Sequence, residues 1–390
     1  MIKICVITGT RAEYGLLKPI INKIKDDKQL GLQLVVTGMH ISPEFGLTYK
    51  EILQDGFEIS DKIEVLLSSD TPVGISKSIG LGIIGFAELF EKSKPDIVII
   101  LGDRYEIFAV ASAAMIANIP IAHIHGGETT EGLIDEAIRH SITKMSYIHF
   151  PCTEEYRRRI IQLGESPDRV FNVGALGCEN IKKIKFIDKE ALKEELNIDF
   201  EKKVALLTFH PVTLDIFKAE KQFKEVLSAI DCFEDLQVIF TKANSDTGGR
   251  IINYLIDEYV RKNSNRCIAF SSLGQVRYLS AMKYCSFVIG NSSSGILEAP
   301  VLNKPTINIG DRQKGRIQLE SIINCEAKKE DIIKAINIVL SEIFSKNIEN
   351  IDNPYGKGNT SDMIIEIIKR FLNQQKIDLK KKFYDLLGSD

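Results

Sequence analysis

The chain has 390 residues, more than one ordinary hydrophobic core can organise, and its length favours two domains. Apolar residues make up 44% and charged residues 26%, the balance of a soluble globular protein, and a net charge of -3 gives no support to nucleic-acid binding as a main function. Seven scattered cysteines without a Cys-x-x-Cys pair read as reduced thiols of a cytoplasmic protein; no signal-peptide architecture opens the chain, and no apolar run reads as a membrane span.

Residues 2–8, "IKICVIT", form a β-branched run that predicts a buried strand, with a helix from about Tyr14. Similar runs at 32–38, 96–102, 119–125, 147–152 and 169–174 have the near-continuous apolar character of parallel strands covered on both faces. Helically spaced segments such as "EIFAVASAAMIA" lie between them, which makes a βαβ series. A charged helical stretch at 179–202 leads into a second series, with strands expected at 203–210, 236–242, 267–270, 287–291 and 306–310. The domain boundary is expected near Gly174–Gly177. The fold class that follows is α/β: two Rossmann-like domains with a central cleft, spanning 1–175 and 176–364. A C-terminal helix at about 365–390 is expected to pack back on the first domain. No low-complexity linker or short-period repeat interrupts the chain.

Ligands of such sheets bind at the carboxyl ends of the strands. Polar, glycine-containing motifs follow the predicted strands: "TGTRAEYG", "LGDRYE", "HIHGGE", "FHPVT", "KANSDTGG", "GNSSSG" and "GDRQKGR". In "GNSSSG" a helix is expected to start around Ser294. Its free N–H groups and macrodipole would attract an anion, Ser292, Ser293 and Ser294 would add hydroxyls, and Gly290 and Gly295 would allow close approach. Plain helix capping by the serines accounts for the same residues. In "TGTRAEYG", Gly9 and Gly15 flank Arg11, whose planar guanidinium suits phosphate oxygens. The motif is neither GxGxxG nor a Walker A loop, which weakens a nicotinamide or ATP reading. Arg312 and Arg316 follow another strand, and Glu298 could bind a vicinal diol. A diphosphate, as in a nucleotide sugar, fits this set of loops.

Residues 103–140 concentrate titratable groups: Asp103, Arg104, His123, His125, Glu128, Asp135, Glu136, Arg139 and His140. His123 and His125 would point the same way from an extended strand. Asp135 and Arg139 would share a face of a helix beginning near Leu133. Carboxylates and imidazoles at close quarters push their pKa values apart, which yields both an acid and a base. A divalent-metal site and a solvated ion-pair network are the competing readings of this cluster. His40 and His210 also fall at strand ends.

These motifs, colinear from about residue 3 to residue 316 with a weaker likeness through "NPYGKGN", resemble the UDP-N-acetylglucosamine 2-epimerases. The likeness is to the bacterial hydrolysing branch that feeds sialic acid synthesis. The resemblance implies a GT-B-like fold and conversion of UDP-N-acetylglucosamine and water to N-acetylmannosamine and UDP, an O-glycosyl hydrolysis with epimerisation. UDP would be eliminated to give a 2-acetamidoglucal, and water would then add with inversion at C2. It further implies that Arg11, Gly15, Arg104, His210, Asn244, Ser292, Ser293, Gly295, Glu298 and Arg312 bind the UDP-sugar. Asp103, His125, Glu128, Asp135 and Arg139 would form the catalytic set, with Asp103 and Asp135 leading. Many members of the family carry Glu where this chain has His125. No metal, cofactor, nucleic acid or membrane is expected as a partner, and a homodimer or homotetramer is. A UDP-2,4-diacetamido-2,4,6-trideoxyhexose is the alternative substrate of a hydrolysing enzyme. A non-hydrolysing epimerase, a GT-B glycosyltransferase and a nucleotide-sugar sensor are the rival functions.

Overall fold

A computed structural model describes all residues except 68, 70, 213–215, 245–247, 349, 350, 352, 357, 375, 376 and 387–390, with the side chains of 216, 217, 345 and 374 also left out. The chain forms two compact units: Met1–Glu128 with Asp135–Asn180 and Pro354–Asp390, and Thr129–Ile134 with Ile181–Asn353.

The first unit is built on strands β1 (Ile2–Thr8), β2 (Leu30–Thr37), β3 (Asp61–Ile63), β4 (Ile97–Leu101), β5 (Ile121–Ile124) and β6 (Ile148–Phe150). All its pairings are parallel, and the strand order is β3-β2-β1-β4-β5-β6. The second unit carries β7 (Val204–Thr208), β8 (Gln237–Thr241), β9 (Cys267–Phe270), β10 (Phe287–Gly290), β11 (Thr306–Ile309) and β12 (Ile322–Cys325), again all parallel, in the order β12-β11-β10-β7-β8-β9. Each sheet therefore repeats the doubly wound 3-2-1-4-5-6 order. Each has its switch point between its first and fourth strands.

Alternation within continuous apolar strands explains the covering on both faces. Ile4 and Val6 of β1 join one core with Leu17, Ile20, Ile364 and Ile368, while Cys5 and Ile7 join another with Phe86, Phe90 and Val110. In β7, Ala205 and Leu207 pack with Phe223, Ile252 and Ile336, whereas Val204 and Leu206 pack with Leu192, Leu279 and Met282. A period-two strand between helical layers buries every residue, so polar groups are left for the strand ends.

Four expectations are corrected. Residues 169–174 form no strand; Val170 makes only an isolated bridge to His149, and the sheet gains β3 at its other edge instead. β3 and β12 are short edge strands carrying Asp61, Lys62 and Asn324, too polar to read as strands by pattern. The expected break near Gly174–Gly177 falls at Asn180/Ile181. Helix Leu176–Lys183 starts within the first unit, where Glu179 accepts from the backbone N–H of Ser361 and Asn180 donates to the Gly15 carbonyl. The C-terminal helix is Thr360–Gln374, packed against helix Arg11–Asp26. Residues 377–386 run without regular structure, held instead by long-range contacts. Lys381 Nζ donates to the carbonyls of Lys144 and Ser146 at 2.8 and 2.7 Å and to both oxygens of Glu165.

Helix Pro72–Ser93 corrects a fourth expectation. Its 22 residues are long and apolar enough to cross a membrane by length and composition. Interspersed glycines and Lys77 hide this in the sequence. In the first unit the helix packs against helix Tyr105–Ile116, and a Cβ at Gly82 would lie 2.8 Å from that of Ala109. Ile75, Phe86, Leu89 and Phe90 are buried there, and Val73, Leu81 and Ile84 are exposed.

Candidate active site

In the first unit, the residues after β1 and β4 flank the switch point. Helix Arg11–Asp26 begins with Arg11, and its N-cap Thr10 is part of a complete capping box. Glu13 Oε2 accepts the N–H groups of Gly9 and Thr10 at 2.7 and 3.2 Å. The helix N-terminus thus carries an internal carboxylate where the sequence suggested a phosphate cradle, and Arg11 is the cationic side chain of this loop. The T-x-x-E spacing of Thr10 and Glu13 is a capping-box signature legible in the sequence. Gly15 does not line the loop: it is buried in the second turn, and its carbonyl accepts Asn180 Nδ2 at 2.8 Å.

Arg104 is the N-cap of helix Tyr105–Ile116 and pairs with Glu106 at 3.1 Å, with Glu13 at 3.9 Å. Burial pushes the Glu13 carboxyl up from 4.5 to about 7; Arg104 pulls it back, and Glu106 adds to the rise. A carboxyl raised on folding stabilises the protein fully below its unfolded value and loses that contribution as pH climbs through the folded one. Stability should therefore fall between about pH 4.5 and 7 relative to Glu13→Gln, by on the order of 3 kcal/mol. Urea midpoints of both proteins across that range test this. A difference independent of pH would show that Glu13 does not titrate there.

The titratable residues singled out in the sequence gather at the carboxyl ends of β4, β5 and β6. Asp103 follows β4 after Gly102, which sits at φ 76°. Its carboxylate accepts Arg139 Nε at 2.7 Å, and a second guanidinium nitrogen also contacts it. Arg139, only 1% exposed, further donates to the Glu128 carbonyl at 2.9 Å and to Glu136 at 2.8 Å. Burial alone would favour the neutral guanidine, but Asp103 and Glu128 hold Arg139 charged. Asp135 and Glu136 open helix Asp135–Met145, two residues later than expected, and place Arg139 one turn on. Glu136 also takes His140 Nε2 at 3.0 Å.

The histidines divide sharply. His123 is fully buried in β5, bonded to the Gly102 carbonyl at 2.8 Å, and burial pushes its pKa down to about 3. His40 contacts Thr8 and Thr48 through its two ring nitrogens, and burial likewise lowers it to about 3. Both are neutral packing residues at neutral pH. His149 faces Glu165. His125 does not continue the strand: β5 ends at Ile124, and His125 turns to φ 64° with its N–H on the Phe150 carbonyl. It therefore no longer points with His123.

"HIHGGE" folds back because Gly127 takes φ 79°, where a Cβ would collide with the Tyr156 carbonyl. The turn brings Glu128 Oε1 to 3.3 Å from His125 Nδ1. Cys152, which sequence reasoning treated only as a reduced thiol, donates its S–H to that oxygen at 3.5 Å. Only the parallel pairing of β5 with β6 puts it there. The donor atoms of His125, Glu128 and Cys152 lie within 4.8 Å of one another, a set able to hold a soft divalent cation.

In the second unit, the residues after β7 and β10 again flank the switch point. Asn291 clamps the two ends together, accepting the His210 N–H at 2.7 Å and donating to its carbonyl at 2.8 Å. Arg312 and Gln313 both donate to the Asn291 carbonyl. Ser292 caps helix Ser293–Leu297 by accepting from Ser294 N–H. That helix has five residues, so little macrodipole stands behind an anion; hydroxyls, the N-terminal amides and Arg312 are what the loop offers. Glycine is required at Gly290, where a Cβ would strike the Thr208 carbonyl, and at Gly295, where it would lie 2.8 Å from Thr306. Gly295 therefore packs closely on β11. Glu298 is the helix C-cap, and Asn244 follows β8 with its carbonyl against Gly249. Thr213 and residues 245–247 of two expected motifs lie outside the described residues.

Comparison with known proteins shows the family and the fold. The UDP-N-acetylglucosamine 2-epimerase family profile matches residues 22–369. The chain is 44% identical to a GDP/UDP-N,N'-diacetylbacillosamine 2-epimerase (hydrolyzing) of Campylobacter jejuni, over 98% of this chain and 99% of that one. It is 40% identical to polysialic acid biosynthesis protein P7 of Escherichia coli, covering 99% and 98% of the two chains. Among solved structures, the UDP-GlcNAc 2-epimerase of Neisseria meningitidis bound to UDP-GlcNAc matches with a TM-score of 0.78 at 19% identity, over 95% of this chain and 100% of that one. The fold is thus the pair of Rossmann-like α/β domains, GT-B-like, of those enzymes. The chain belongs to the UDP-N-acetylglucosamine 2-epimerase family, in its hydrolysing branch.

Proposed function

We propose that the protein hydrolyses a UDP-linked 2-acetamido sugar with inversion at C2. The observation that carries this is the buried guanidinium of Arg139 holding Asp103 and Glu136 beside the His125–Glu128 pair, an acid–base set at one sheet edge. The C2 proton is weakly acidic, since no carbonyl adjoins it, so cleavage of the C1–O bond leads. The bond's electron pair leaves on UDP, and C1 gains oxocarbenium character. A carboxylate then takes the C2 proton as the C1–C2 double bond forms. In the second step water supplies hydroxyl to C1, and an acid delivers a proton to the opposite face of C2. Asp103 and Asp135 are the proposed leading groups, and Arg11, Arg312, His210 and the serine turn the proposed nucleotide ligands.

For the donor, we favour a nucleotide-linked 2,4-diacetamido-2,4,6-trideoxyhexose. Relatives at 44% and 36% identity are named as hydrolysing N,N'-diacetylbacillosamine 2-epimerases. UDP-N-acetylglucosamine, giving N-acetylmannosamine for sialic acid synthesis, is the second reading, supported by the 40% identity to the polysialic acid protein. Seven free thiols suit a cytoplasmic enzyme. NMR of the products from each UDP-sugar in deuterated water tests the proposal. Free UDP and a C2-inverted, C2-deuterated sugar are expected, faster from the diacetamido donor. Intact nucleotide sugar from both would overturn it, and a C2-inverted sugar still on UDP would mark a non-hydrolysing enzyme.

A further inference from the structure

We propose that His125 and Glu128 act as one dyad, in which His125 Nε2 is the acid that protonates C2 in the hydration step and Glu128 orients the ring, with Cys152 as a positioning residue behind Glu128. The inference rests on the hydrolysing 2-epimerase reading and assigns a role within it that sequence alone left open.

Three observations carry it. Glu128 Oε1 lies 3.3 Å from His125 Nδ1, within reach for a carboxylate to accept the Nδ1 proton. This fixes the tautomer and leaves the lone pair on Nε2. That atom is buried and has no hydrogen-bond partner among the described residues. A buried imidazole nitrogen left unsatisfied costs the fold stability, and a role in catalysis is one reason for a protein to keep it. Finally, the ring is held by backbone rather than by packing alone. His125 sits at φ 64°, rare for a residue other than glycine, and its N–H bonds the Phe150 carbonyl at 3.0 Å. Strain of this kind persists where surroundings impose it.

Cys152 completes the arrangement. It is fully buried, two residues beyond β6, and its Sγ–H reaches the same Glu128 oxygen at 3.5 Å. Two donors, one imidazole and one thiol, fix the rotation of a single carboxylate. The logic is that of a carboxylate holding an imidazole for proton transfer. Before the hydration step Nε2 takes a proton from solvent and Glu128 faces the resulting imidazolium; Nε2–H then delivers that proton to C2 on the face opposite the one the carboxylate deprotonated, as the water hydroxyl bonds to C1. No electron changes hands.

A double-mutant cycle tests the dyad, with C2 deuterium incorporation and UDP release as readouts. His125→Gln and Glu128→Gln should each slow turnover by about 10²–10⁴-fold, and the double variant should be no slower than the slower single one. Multiplied losses would show that the residues act separately and overturn the dyad. Cys152→Ala should lower kcat about tenfold with KM unchanged, and Cys152→Ser, which keeps a donor of similar size, should restore it. An unrestored Cys152→Ser with normal folding would remove Cys152 from the arrangement. Wild-type activity lost to a chelator and regained with zinc would replace the dyad by a metal centre. A wild-type protein that releases no UDP from either donor would sink the underlying function, not the dyad alone.

Discussion

Arg139→Leu is expected to be the most damaging single substitution in the first unit. It removes a guanidinium that is almost wholly buried and leaves Asp103 and Glu136 without their shared cation. Breaking a buried ion pair from one side typically costs about 3–5 kcal/mol, and the partial exposure of Asp103 and Glu136 puts the expected loss at the lower end. For a unit of this size that lowers the unfolding midpoint by on the order of 10 °C. Turnover should vanish as well, since Asp103 loses the fork that holds it. Arg139→Lys should recover part of the stability and little of the activity, as an ammonium cannot reproduce a planar, multidentate contact. Differential scanning calorimetry beside a UDP-release assay separates these effects. An Arg139→Leu protein that melts with the wild type would show that the network carries little stability.

Asp103→Asn should act on rate more than on folding. Asn keeps the shape and an oxygen that can accept from Arg139, while the basicity is gone. The side chain is 21% exposed, so the lost charge is partly screened and the stability cost modest. Turnover is expected to fall by about 10²–10⁴-fold, the usual effect of a positioned acid or base. UDP affinity should hold, because the proposed nucleotide ligands lie on other strands. Turnover at the wild-type level would take Asp103 out of the proton transfer. A melting loss as large as that of Arg139→Leu would assign it to the scaffold instead.

Much of the candidate site was legible because parallel α/β sheets put chemistry at strand ends. Asp103, Glu128, His210 and the Ser292–Ser294 turn each follow an apolar run, and each is found just beyond a strand in the structure. Local pattern was less reliable where a segment's conformation is set from afar. Residues 377–386 have the composition of a helix, yet Lys381 finds Glu165 and the segment forms no regular structure. Gly15 reads as a loop glycine and is a helix-packing one.

The sequence by itself determined the two βαβ series, the doubly wound fold class and the family, because strand periodicity, glycine turns and motif order are properties of neighbouring residues. Tertiary structure decided which groups can act together. Arg139 meets Asp103 across 36 residues and Cys152 meets Glu128 across 24, pairings set by strand order rather than by spacing. It also decided that His40 and His123 are spent on packing, since burial and partner geometry belong to the folded chain alone.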